Sequence, residues 1–193
     1  MKMSEQEKVY EIIIHGRGGQ GAITAGELLC DFAYFSGFKD VLSIPIIGAE
    51  RRGAPIKAFV KLSNEKEIKD YSAVSDPDIS IIFDMSLLNL PGVLDQIHKG
   101  IVILNTKEKV DTSQFPDGVE VWAIDATKIS LGLDLLVAGS PVLNVPILGA
   151  YAKVTGHIDL SIMEDILVKK FGSKGKLNYK AAQEAAKAVH KLT

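Results

Sequence analysis

The run His15-Gly16-Arg17-Gly18-Gly19-Gln20-Gly21 concentrates the residue types that hold anions. Gly16, Gly18 and Gly21 satisfy G-x-G-x-x-G, and the run separates an apolar β-branched stretch from an amphipathic one. In that setting glycines let the backbone approach a phosphate, while the free N–H groups of the following helix point at it. Arg17 adds a charged fork to these donors. The plainer alternative is that the glycines only make a tight strand-to-helix turn. Neither common nucleotide pattern is complete. A dinucleotide site calls for an acidic residue at the end of the second strand, but Asp40 precedes that strand and Ile46-Ile47-Gly48 end it. The spacing of Gly16 and Gly21 also matches a P-loop, yet Ala22-Ile23 stands where lysine and a hydroxyl residue are required.

A second constellation is Gly48-Ala49-Glu50-Arg51-Arg52-Gly53-Ala54-Pro55. Adjacent arginines between glycines, placed between two strands, either grip a phosphate or a partner's carboxylate with Glu50 orienting one of them, or form a solvated turn. An exposed Glu–Arg pair in such a turn contributes under about 1 kcal/mol. Elsewhere the chemistry is sparse. Cys30 is the only cysteine and falls among Leu28, Leu29 and Phe32, so it reads as a buried structural thiol. His15, His98, His157 and His190 lack ligand spacing, and no nucleophile–base pair or metal set is apparent. Asp84 and Asp125 close apolar runs, where a carboxylate can either meet a ligand or cap the next helix. Asn144-Val145-Pro146-Ile147 either faces a partner or starts a helix, with Asn144 as N-cap and Pro146 in the first turn.

These residues need a scaffold, and the periodicity supplies one. Val9 to Ile14, Val41 to Ile47, Pro55 to Leu62, Ile79 to Asp84, Ile101 to Leu104 and Val119 to Ile124 read as strands. Lys57 and Lys61 fall on the wetter face of the third. Ala22 to about Phe35 and Leu88 to His98 have helical spacing, and Asn64 to Val74 is a short helix or an extended connection. After Asp125 the chain turns helical, over Ala126 to Leu131, Leu143 to Thr155, Leu160 to Phe171 and Tyr179 to Leu192, with a turn at Gly172 to Gly175. The pattern predicts an α/β fold with three α/β/α layers, a mostly parallel Rossmann-like central sheet and a helical C-terminal part. Ligands of such sheets collect at the carboxyl ends of the strands, here the glycine loop, Gly48 to Gly53, Asp84, Asn105 and Asp125.

The 193 residues, 47% of them hydrophobic, fit one domain spanning 1–193 with a sizeable core. With 22 Lys+Arg against 24 Asp+Glu, no global field favours nucleic acid or an anionic membrane, so any anion site is local. The polar start MKMSEQEK is unlike a secretory signal, and no apolar run reaches the ~18 to 20 residues that span a bilayer. A reducing cytoplasm is the expected location.

Gly16-Arg17-Gly18-Gly19-Gln20-Gly21, Glu50-Arg51-Arg52-Gly53-Ala54-Pro55 and Asn144-Val145-Pro146-Ile147-Leu148-Gly149-Ala150, in that order, resemble the gamma subunit of 2-oxoacid:ferredoxin oxidoreductases, over about residues 9 to 190. The form Glu-Arg-Arg-Gly-Ala-Pro is closest to the pyruvate members; Ile47-Gly48-Ala49 departs from the Tyr-Gly-Pro-like lead-in of many. The resemblance implies a subunit without catalytic residues of its own. Thiamine diphosphate, magnesium and 4Fe–4S clusters are then expected on the partner alpha, beta and delta subunits. The assembled enzyme would convert pyruvate and coenzyme A to acetyl-CoA and CO2, reducing ferredoxin. The 2-ketoisovalerate and 2-oxoglutarate enzymes are the alternatives. Within this chain the resemblance directs attention to Gly16, Arg17, Gly18, Gly19, Gln20, Gly21, Glu50, Arg51 and Arg52. They serve either the phosphates of coenzyme A or the contact with partner subunits, in which case the chain is a scaffold.

Overall fold

The computed structural model describes residues 8–46 and 52–193. Its centre is strand β1 (Val9–Arg17), where Ile12, Ile13 and Ile14 are all buried because both faces of the strand are covered. Helix α1 (Ala22–Phe35) and strands β2 (Asp40–Ile46) and β3 (Pro55–Ser63) follow. Then come β4 (Ile79–Ile82), β5 (Ile101–Asn105), β6 (Glu120–Ile124) and α2 (Ala126–Gly132). A small hairpin, β7 (Leu136–Val137) and β8 (Ser140–Pro141), precedes α3 (Asn144–Thr155), α4 (Met163–Phe171), α5 (Gly175–Ala188) and a last short strand, β9 (His190–Lys191).

The main sheet has the order β2-β3-β1-β4-β5-β6-β9. The run β1, β4, β5, β6 is parallel, whereas β3 lies antiparallel between β1 and β2, and β9 antiparallel to β6. Side-chain alternation sorts the apolar residues onto two faces. Ile12, Ile14, Ile81, Ile103 and Ile124 pack with Leu28, Leu29 and Phe32 of α1 and with Leu148 and Tyr151 of α3. On the other face Ile82, Val102, Leu104 and Val121 meet Leu87, Leu88, Val93, Ile97 and Phe115, carried on loops and one-turn 3-10 helices at Met85–Asn89, Leu94–Gln96 and Thr112–Gln114. The α/β fold with a helical C-terminal part is therefore present, and its second covering layer is made of short turns.

Three local expectations are corrected. Leu88 to His98 is not a helix, since Pro91 and Gly92, the latter at φ 80°, divide it into 3-10 turns. Of the two readings for residues 64–74 the connection, not the helix, is realised; it is tied down by Ile68 N–H donating to Asp40 (2.7 Å) and by Lys61 donating to Asp70 (2.6 Å). Lys61 is not on a wet face at all, being 1% exposed. The last helix starts earlier than Tyr179 and stops at Ala188, after which β9 pairs with β6 and occupies its otherwise open edge.

Candidate functional site

The carboxyl ends of β1, β4, β5 and β6 open onto one cleft of about 1650 Å³. Its floor and walls include Arg17 to Thr24, Arg52, Asp84, Asn105, Lys128 and the β7–β8 hairpin. Strand-end chemistry and the glycine loop therefore meet at the sheet edge the sequence indicated.

The loop is built by specific contacts. An added Cβ at Gly16 would sit 2.7 Å from Ala22 Cβ, which keeps the start of α1 pressed against β1. Gly19 and Gly21 adopt φ of 92° and 82°, the left-handed region that disfavours other residues. The Gln20 side chain folds back to accept the Arg17 amide at 2.8 Å, while the Gln20 amide donates to the Arg17 carbonyl at 2.9 Å. Gly18 and the segment leading into β3 exchange two backbone bonds, Gly18 N–H to Ala54 O (2.8 Å) and Gly53 N–H to Gly18 O (3.1 Å). Helix α1 then begins at Gly21 with no side-chain cap, so its first-turn N–H groups face the cleft without an internal acceptor.

Arg17 turns onto its own scaffold. Nε donates to Asp84 Oδ2 at 3.1 Å, one terminal nitrogen to the Gly53 carbonyl at 3.0 Å and the other to Ser86 Oγ at 2.6 Å. Asp84 accepts further bonds from the Ser86 amide (3.0 Å), the Ser86 hydroxyl and Gln20 Nε2 (3.4 Å). Burial alone would push this carboxyl up; the Ser86 donors, the Arg17 charge and Gln20 outweigh it and hold it below the ordinary carboxylate value. Asp84 thus caps the following turn and neutralises Arg17 at once. Arg52 is exposed and, among the described residues, reaches only Ser140 Oγ, at 3.5 Å. Of the two described arginines lining the cleft, Arg52 is the one without a carboxylate partner among the described residues. Glu50 and Arg51 lie outside the described residues.

The third motif packs against the glycine loop at Gly21. Asn144 is buried, and an added Cβ on Gly21 would lie 3.1 Å from its Nδ2. Asn144 is not the N-cap, a place taken by Leu143 without a side-chain bond. It is the first helical residue, and its Oδ1 accepts from the Val145 amide at 2.8 Å. Gly149, in the same motif, faces α5 so closely that a Cβ would overlap the Ala182 carbonyl. Asp125 does act as a cap, accepting from Lys128 N–H at 2.8 Å.

Asn105, indicated by the sequence as a polar strand end like Asp84 and Asp125, joins three elements: Nδ2 donates to the Phe83 carbonyl (3.0 Å), and Oδ1 accepts from the Ala126 amide (3.0 Å). Two residues were not singled out by sequence reasoning: Ser86 and Ser140, which complete the Arg17 and Arg52 contacts. Neither stands in a motif or at the carboxyl end of a strand, so no local signal marked them. The opposite wall is apolar, with Leu131 57% and Val137 62% exposed. His15 stays behind the loop, buried, and is held down to about 3 by burial and by the charge of Lys57. Cys30 is buried as expected; burial, then Asp31, Asp40 and Glu27, push its thiol up to about 12. Among the described residues, no helix is long and apolar enough to cross a membrane.

Comparison with known proteins follows the same geometry. Residues 11–188 match the family described as pyruvate ferredoxin/flavodoxin oxidoreductase. The chain is 39% identical over 180 residues to the pyruvate/ketoisovalerate oxidoreductases common subunit gamma of Thermococcus litoralis, covering 91% of this chain and 94% of that one. It is 37% identical over 184 residues to the pyruvate synthase subunit PorC of Methanocaldococcus jannaschii, covering 94% and 96%. The crystal structure of the pyruvate oxidoreductase subunit PORC of Thermotoga maritima superposes with a TM-score of 0.82 at 29% identity, covering 96% of this chain and 99% of that one. With the glycine loop and the Arg52 segment lining one cleft, the Asn144 helix packed against that loop and the match running almost end to end, the chain belongs to the pyruvate ferredoxin/flavodoxin oxidoreductase family.

Proposed function

We propose that the chain is the single-domain gamma subunit of a cytoplasmic, multisubunit pyruvate:ferredoxin oxidoreductase, and that its cleft forms part of the coenzyme A side of the assembled active site. The observation that carries this reading is that the glycine loop and the Arg52 segment line one cleft at the sheet's carboxyl edge, with Asn144 of the third motif packed against Gly21 of the loop. Coenzyme A combines phosphates with a long, weakly polar arm. The uncapped start of α1 and the Arg52 guanidinium suit the phosphates, and Leu131 with Val137 suits the arm. Arg17 and Asp84 act at one remove, fixing the loop that presents those amides. Thiamine diphosphate, magnesium and the 4Fe–4S clusters are assigned to the alpha, beta and delta subunits, where they supply decarboxylation and electron transfer to ferredoxin. A single cysteine, buried as a protonated thiol, cannot furnish the set of thiolates that a cluster needs. This chain's own contribution is to bind, orient and shield, so it is inactive in isolation.

The relative in Thermococcus litoralis is named for both pyruvate and ketoisovalerate oxidoreductases. A subunit whose cleft addresses coenzyme A, common to both reactions, is free to serve more than one 2-oxoacid enzyme. A pure scaffold is the second reading, favoured by the internal commitment of Arg17 to Asp84, Ser86 and Gly53. In the reconstituted complex Arg52→Ala is expected to raise the KM for coenzyme A about tenfold, with coenzyme A-independent decarboxylation unchanged. An unchanged KM together with weakened assembly would select the scaffold.

A further inference from the structure

On the sheet face turned away from α1, strand register lines side chains up in rows. One row is Ile46, Lys57, His15 and Ile82; two rows away lie Leu42, Lys61 and Glu11. The two lysines are four residues apart on the same strand and the same face, and the fold treats them differently. Lys61, nearly inaccessible, meets Glu11 at 3.0 Å and Asp70 at 2.6 Å, two carboxylates for one buried cation. Lys57 has only a neutral partner, Gln96 Oε1 at 3.2 Å. Among the described residues no carboxylate pairs with it.

Its neighbour gives no relief. His15 is 2% exposed, its Nε2 has no hydrogen-bond partner, and it is neutral at ordinary pH. Burial also pulls the Lys57 ammonium below its usual value. A half-buried cation beside an unsatisfied imidazole is costly in the isolated chain, and a counter-charge arriving from outside would offset that cost. The row ends at the sheet margin, since β2 is the terminal strand of the order and Ile46 is 42% exposed. This setting suits a protein surface better than a free anion, because an apolar residue and a strand margin adjoin the charge.

We infer that Lys57 is a docking cation: the row Ile46–Lys57–His15 receives an aspartate or glutamate of another subunit of the oxidoreductase, whose carboxylate pairs with Lys57 while an apolar neighbour covers Ile46. The inference rests on the reading that this chain works inside a multisubunit complex. A charge-assisted bond formed at a partly desolvated site both holds and orients the assembly.

The test compares Lys57→Gln and Lys57→Arg in the full chain with partner subunits. Lys57→Gln is expected to leave the melting temperature of the isolated chain unchanged or higher, to weaken association at least tenfold, and to reduce the salt dependence of assembly. Lys57→Arg is expected to restore association to within about threefold of the parent. At saturating subunit concentration the KM for coenzyme A should stay at the parent value, which separates this surface from the Arg52 cleft. Association unaltered by Lys57→Gln overturns the inference. So does equal destabilisation of the isolated chain by Lys57→Gln and Glu50→Gln, which would make Glu50 of this chain the counter-charge. Failure of the parent chain to associate at all defeats the complex reading itself.

Discussion

Asp84 shows how one side chain can serve two ends of a site. Its carboxylate receives Arg17, Gln20 and both donors of Ser86, so the glycine loop and the turn after β4 share one anchor. Asp84→Asn keeps the shape but removes the charge that Arg17 requires. It is expected to cost about 1 to 2 kcal/mol, read from chemical denaturation at neutral pH. The pH dependence gives the sign. Because the folded carboxyl titrates below its ordinary value of 3.8, its contribution is present above that pH and lost as pH falls through the lower folded value. The difference between parent and variant should therefore vanish in strong acid; a gap that persists there would mean that lost shape, not lost charge, causes the effect. Arg17 was legible as a loop arginine, but its three internal bonds were not, because Asp84, Ser86 and Gly53 come from segments 36 to 69 residues away. Glycine positions were more legible, since a left-handed φ at Gly19 and Gly21 is written in residue type.

Helices α3 and α5 pack on small residues. Gly149 lies against the backbone of Ala182, its missing Cβ 2.5 Å from Ala182 Cα, and Ala182 and Ala185 are fully buried. Alanine in place of glycine would ordinarily favour a helix by about 1 kcal/mol. Here Gly149→Ala is expected to destabilise the fold by about 1 to 3 kcal/mol, because the two backbones must separate. Thermal unfolding checks the sign, and a higher melting temperature would show that the helices part freely. The strands and the long helices were readable from alternation and spacing, since Ile12 to Ile14 and Leu28 to Phe32 carry strong local patterns. Leu88 to His98 was misread as a helix because Leu88, Val93 and Ile97 are apolar at near-helical intervals, although tertiary burial on the second sheet face explains them equally. The β9 pairing was hidden for a similar reason: nothing local distinguishes Val189 to Leu192 from a helix end until the open edge of β6 is known.

At the level of the whole molecule, buried His15 and half-buried His157 are expected to set the acid limit. His157 sits among Tyr10, Phe38 and Tyr151, and its Nδ1 shares a hydrogen bond with the Tyr151 hydroxyl at 2.7 Å. Burial and the charge of Lys8, opposed by Asp78, lower it from 6.5 to about 4, while His15 is lowered to about 3. Unfolded histidines bind protons that the folded chain refuses, so stability is full above about pH 6.5 and falls progressively towards pH 4. His157→Phe should flatten that decline in denaturation measured from pH 7 to 4, even if it lowers stability at neutral pH by removing the Tyr151 bond. An unchanged slope would remove His157 from the acid limit. The family was visible in three short motifs, whereas the row at Lys57 depends on register, which no motif records. That register also has a consequence for synthesis. The central strand β1 leaves the ribosome before its sheet neighbours, and its parallel neighbour Ile79–Ile82 is made some sixty residues later. At roughly 5 to 20 residues per second, Ile12 to Ile14 wait several seconds with one side bare. The antiparallel strand Pro55–Ser63 is made within that interval, so this apolar strand can gain a sheet partner on its other flank before the parallel half of the sheet exists.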